Sequence, residues 1–85
     1  MKIFHVIRTL PDALPLELAR RQQADHEVSL LLVQDGVFAS PTVGATPVYA
    51  LKADLEARGL PAGPTAVDYD EAIRLMAEHD RVIVW

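Results

Sequence analysis

The apolar residues of this chain come in short, nearly unbroken runs, and this constrains the fold more than any other feature. The runs lie at 3–7, 28–33, 48–51 and 81–85, and they are apolar at odd and even positions alike. A strand sends alternate side chains to opposite faces, so a run apolar at both parities reads as a strand covered on both sides. A parallel sheet between layers of helix has that character; a meander with one wet face does not. Ala66-Val67 is a fifth, shorter candidate before Asp68.

Helix signals fill the gaps between the runs. Asp12 can cap a helix with Pro15 in its first turn, and Leu14 and Leu18 then share a face at i, i+4. Residues 52–58 form a second helix, stopped by Gly59 in a left-handed conformation. Leu60 packs back on Leu55, and Pro61 prevents continuation. Asp68, followed three residues on by Glu71, caps a third helix. On that helix Tyr69, Ala72, Ile73 and Met76 recur at i, i+3, i+4, i+7 and read as a stripe buried in the core. Residues 34–46 admit two readings. Asp35-Gly36 between apolar residues is a hairpin signal, whereas the length also suffices for a crossover to a parallel strand. The shortness of Val37-Phe38-Ala39 before Ser40-Pro41 favours a strand-to-helix turn. The expected fold is α/β, a small three-layer α/β/α sandwich on a mainly parallel sheet of about five strands, with residues 1–85 as one domain.

The chemistry open to the chain is narrow. With no cysteine there is no disulfide, thiolate metal site, iron–sulfur cluster or thiol nucleophile. Eight Lys and Arg against twelve Asp and Glu give a net charge of −4, which argues against nucleic acid as a direct partner. Arg20-Arg21 is the one adjacent basic pair, and it suits a helix carboxyl end. No apolar run reaches the ~20 residues of a membrane span, and the first residues lack a signal-peptide pattern, so a cytoplasmic protein is expected. The four glycines do not space as a dinucleotide fingerprint or a P-loop, and no nucleophile elbow occurs.

His5, His26 and His79 lack metal-ligand spacing. The last two fall in turns after helices, and His5 falls mid-strand, where a hydrogen-bonded core histidine is the simpler reading than a base. Asp68, Asp70 and Glu71 suit the dipole of a first helical turn better than acid–base work. No catalytic residue, metal site or cofactor is therefore expected.

Open α/β sheets engage ligands and partners beyond the carboxyl ends of their strands. Those ends offer Arg8 and Thr9 after the first strand and Gln34, Asp35 and Gly36 after the second, although Asp35-Gly36 also serves simply as a turn. Trp85 can fill the core or a subunit interface. A chain of 85 residues buries only roughly 60–65% of its unfolded surface, so an oligomer is expected, with itself or with other chains.

The stretch Leu31-Leu32-Val33-Gln34-Asp35-Gly36-Val37, then Val48-Tyr49-Ala50-Leu51, Asp54-Leu55, Ala57-Arg58-Gly59-Leu60, Asp68-Tyr69 and Trp85 together resembles the DsrH/TusB family. This is the smallest subunit type of the DsrE-like sulfur-relay proteins. The likeness spans residues 28–85, with an echo around His5 and Arg8, and the chain is short for the family between Ala39 and Pro47. The resemblance implies a DsrE-like fold and assembly with homologous sister subunits, with a small sulfur-carrier protein as a further partner. In such relays sulfur passes as a persulfide between cysteines, toward 2-thiouridine at the tRNA wobble position or toward sulfur oxidation. A chain without a thiol cannot carry it. The expected role is thus a non-catalytic subunit of a sulfurtransferase complex. Two alternatives are a stand-alone homo-oligomer binding a small anion or metabolite near Arg8 and Asp35, and an enzyme using Asp35 or His5.

Overall fold

The computed structural model describes residues 1–9, 13–39, 46–63 and 65–85. In chain order these form β1 (Lys2–Ile7), α1 (Ala13–Gln22), β2 (Glu27–Leu32), a 3-10 helix (Gln34–Phe38), β3 (Val48–Leu51), α2 (Lys52–Ala57), β4 (Ala66–Val67), α3 (Tyr69–Ala77) and β5 (Arg81–Val84). The five strands form one sheet in the order β4-β3-β2-β1-β5, and every neighbouring pair is parallel. The α/β architecture follows the two-sided apolar runs of the sequence. β3 pairs parallel to β2, so the two strands are not joined as a hairpin. The cap expected at Asp12, and residues 40–45 of the crossover, lie outside the described residues.

Side-chain parity divides the interior in two. Ile7, Val28, Leu30 and Leu32 face one side, where Ala19 of α1, Val37 of the 3-10 helix and Leu55 of α2 cover them. Phe4, Val6, Leu31, Leu51 and Val67 face the other, where Ala72 of α3 is buried with Leu75 and Met76 beside it. The topology explains this unequal cover. From β1 to β4 the chain steps along the sheet in one direction, and right-handed crossovers put all their helices on one face. Only the return from β4 to β5 runs the other way, so α3 has the second face to itself. Among the described residues, no helix is long and apolar enough to cross a membrane.

Local signals act as read at two helix ends. The Glu71 N–H donates to Asp68 Oδ1 at 2.8 Å, which fixes Asp68 as the cap of α3. Gly59 stands at φ +67, with its N–H on Glu56 O and the Leu60 N–H on Leu55 O at 2.9 Å, a Schellman close that returns Leu60 to the core around Leu55.

Two helix faces differ from expectation. In α1 the buried positions are Pro15 and Ala19, while Leu14 is exposed. The methyl group of Ala19 lets the helix lie close to the sheet, and Gln22, next on that face, meets a polar partner there. A face so small and polar carries little signal in a hydrophobic pattern. In α3 the stripe is not all core. Ala72 is buried and Met76 partly so, but Tyr69 and Ile73 are 61% and 63% exposed. A nine-residue helix alone on its face leaves the outer part of its apolar stripe without cover.

Candidate functional site

The carboxyl ends of β1 and β2 meet at Gly36. Its N–H donates to Val33 O at 2.9 Å and Arg8 O at 3.2 Å, so the 3-10 helix turns directly against the end of β1. A Cβ at this position would sit 2.1 Å from Ile7 O, closer than any side chain can come. Gly36 is required by this close approach of two backbones. The turn into it is tight as well, since Gln34 occupies the left-handed region at φ +50, which costs a residue with a Cβ about 1–2 kcal/mol. The Gln34 N–H is held by Asp54 Oδ2 at 2.7 Å.

Asp54 belongs to α2, one turn before Arg58. The Arg58 guanidinium reaches Asp35 Oδ1 with both Nε and Nη2 at 3.1 Å, and its Nη1 donates to Asp54 O at 3.2 Å. Asp35 is mostly exposed, so this ion pair adds at most about 1 kcal/mol. Its larger consequence is geometric, because it ties the 3-10 helix to α2. Asp54 and Arg58 are the site residues that sequence reasoning missed as a pair; their i, i+4 spacing was the available signal.

On the other side of β1, Arg8 reaches β5. Its backbone N–H and its Nε each donate to Trp85 O at 3.3 Å. Thr9 is exposed beside it. Trp85 packs against the core of the α1 face, and its indole Nε1–H donates to His5 Nδ1 at 3.0 Å. An indole only donates, so His5 Nδ1 accepts, and the proton on His5 Nε2 goes to Gln22 Oε1 at 2.6 Å. His5 has no exposed surface and both ring nitrogens are engaged, so it is a structural histidine that links β1, α1 and the residue after β5. Asp35 and His5 thus stand apart, each with its own partner.

The candidate residues form one rim: Gly36 joins Arg8, Arg8 joins Trp85, and Asp35 and Gln34 join α2. Below this rim, on the α3 face, is a groove of about 290 Å³ lined by Val6, Leu31, Val33, Tyr69, Ile73 and Met76. Gln34 and Asp54 supply its polar edge. At the opposite end of the sheet a more polar cleft of about 410 Å³ is bordered by His26, Glu78 and His79. There His79 Nδ1 donates to Leu75 O at 2.5 Å, and His26 Nδ1 is buried without a hydrogen-bond partner. Among the described residues no three His, Cys, Asp or Glu side chains converge to hold a metal ion. What the strand-end arrangement offers is a rigid polar rim over an open apolar groove, a surface suited to contact.

Comparison with known proteins places this geometry in context. The family model described as DsrH like protein matches residues 12–82. Protein TusB of Pectobacterium carotovorum subsp. carotovorum (strain PC1) is 33% identical over 74 residues, covering 72% of this chain and 78% of that protein. Protein TusB of Pectobacterium parmentieri is 29% identical over an alignment of 96 residues, covering 98% of this chain and 100% of that protein. That alignment is longer than the 85 residues of this chain, so the relative carries residues that this chain lacks.

Proposed function

Because the chain belongs to the DsrH family, whose model matches residues 12–82, we propose that it is a non-catalytic subunit of a sulfur-relay complex. The complex serves 2-thiouridine synthesis at the tRNA wobble position or sulfur oxidation. The single observation that carries the division of labour is the absence of cysteine. A persulfide needs a thiol to form on, so every covalent step takes place on a homologous sister subunit or on a small sulfur-carrier protein. The rim of Arg8, Thr9, Gln34, Asp35 and Gly36, with Trp85 behind it, faces these partners and shapes the surroundings of their cysteines. The complex is cytoplasmic and uses no cofactor on this chain. Support for a contact role comes from the way the rim is built: a glycine that admits no Cβ and a left-handed Gln34 hold an exposed surface in one shape.

The test is reconstitution of sulfur transfer from a persulfidated donor to the sister subunits, with and without this chain, followed by intact-protein mass spectrometry. The reading expects one added sulfur on a sister subunit, at a rate that falls when this chain is omitted, and no added sulfur on this chain. An unchanged rate in its absence would contradict it.

A further inference from the structure

Gln34 is the one residue other than glycine with a positive φ among the described residues. A side chain in that region is strained, and a strained turn persists only where its surroundings hold it. Its own segment does not do so. Val33, ahead of the 3-10 helix, supplies no side-chain cap, so the first N–H of that helix has no local acceptor. The acceptor comes from α2, twenty residues along the chain, where Asp54 Oδ2 takes the Gln34 N–H at 2.7 Å. A carboxylate accepting from a backbone N–H makes one of the stronger hydrogen bonds open to a protein. Arg58 steadies it from one turn further on. Its Nη1 lies 3.7 Å from Asp54 Oδ1 and donates to Asp54 O, while Nε and Nη2 both reach Asp35 Oδ1. The side chains of Asp54 and Arg58 are 19% and 23% exposed against 67% for Asp35, so the sheltered part of this network belongs to α2.

The bond from the Gly36 N–H to Val33 O closes over Gln34 and Asp35, so it depends on the left-handed Gln34. We propose that Asp54 and Arg58 are positioning residues, a latch on α2 that selects the left-handed Gln34 and with it the shape of the strand-end rim. With the latch lost, Gln34 relaxes toward the ordinary negative-φ region, and Gly36 parts from Val33 O and Arg8 O. Glycine at position 34 removes the drive to relax, because it occupies either region with similar ease. The functional half of the proposal rests on the relay reading: the closed latch is the form in which this chain supports sulfur transfer by its partners.

The experiment compares the full wild-type chain with Asp54→Ala, Gln34→Gly and the double variant, each checked for folding by thermal melting. Amide hydrogen exchange is followed residue by residue by NMR, and each chain is then added to the reconstituted transfer from a persulfidated donor to the sister subunits. Asp54→Ala should speed exchange at the Gly36 N–H by about tenfold, with the Trp85 N–H, bonded to Val6 O, unchanged as a control. The transfer rate should fall at least about fivefold in the same variant, and Gln34→Gly added to it should restore both readouts to within about threefold of wild type. A loss of packing around α2 would not be repaired by glycine at position 34. Unchanged exchange at Gly36 in Asp54→Ala, or faster exchange that Gln34→Gly does not repair, would overturn the latch. Faster exchange with transfer intact would overturn its role in the relay. Exchange is read on this chain alone, so it decides the latch even where omitting the wild-type chain leaves transfer unchanged, the outcome that overturns the relay reading itself.

Discussion

At position 36 the fold leaves no choice of side chain. Adding one methyl there drives it to 2.1 Å from Ile7 O, a backbone atom of β1, an interior strand of the sheet, that cannot step aside alone. Gly36→Ala should therefore cost at least about 2 kcal/mol in urea unfolding, as overpacked sites do. Gln34→Gly should act in the opposite sense. It relieves the left-handed backbone at φ +50 and, after the added entropy of the unfolded chain, should leave stability unchanged or raised by up to about 1 kcal/mol in the same assay. Trp85→Phe removes the donor to His5 Nδ1 and strands a buried acceptor, for a cost of about 1–3 kcal/mol. At this scale the sequence was only partly legible. The site residues could be placed at strand ends by rule, and Asp35-Gly36 announced a turn. Nothing in the one-dimensional pattern showed that Gly36 answers to Ile7, or that His5 joins Gln22 to Trp85, because each contact depends on the register of strands far apart in the chain.

Among the elements, the ends of helices were more legible than their faces. Caps are local, so Asp68 and Gly59 could be recognised without knowing what the helices pack against. Asp68→Ala should cost about 1 kcal/mol through the lost bond to the Glu71 N–H. Gly59→Ala should cost about 1–2 kcal/mol through its positive φ alone, since open space surrounds its Cβ. Chemical denaturation of the two variants checks both values. Faces depend on tertiary neighbours, and both expectations about them needed revision. The Leu14–Leu18 pair lost to the smaller Pro15 and Ala19, because close approach to the sheet favours a small side chain. The stripe on α3 was read correctly as apolar and wrongly as wholly buried. Periodicity reports which side of a helix avoids water, and says nothing of whether the same chain supplies the cover.

For the whole molecule, the unbroken apolar runs were the most informative signal, since they marked parallel strands covered on both sides before any contact was known. Given the strand order β4-β3-β2-β1-β5, the division of three helical segments on one face and one on the other follows from crossover handedness. That division leaves Ile73, Val82 and Val84 uncovered in a chain too small to stabilise much exposed apolar surface. Family membership and the missing thiol then combine into one account, a subunit that contributes surface while other subunits contribute cysteine. Native mass spectrometry of the complex recovered on the tagged chain from its own host tests this most directly. The account predicts a hetero-oligomer in which this chain is joined by homologous small subunits, at least one with a cysteine that accepts a persulfide. Recovery of the chain only as a monomer or a homo-oligomer would contradict it.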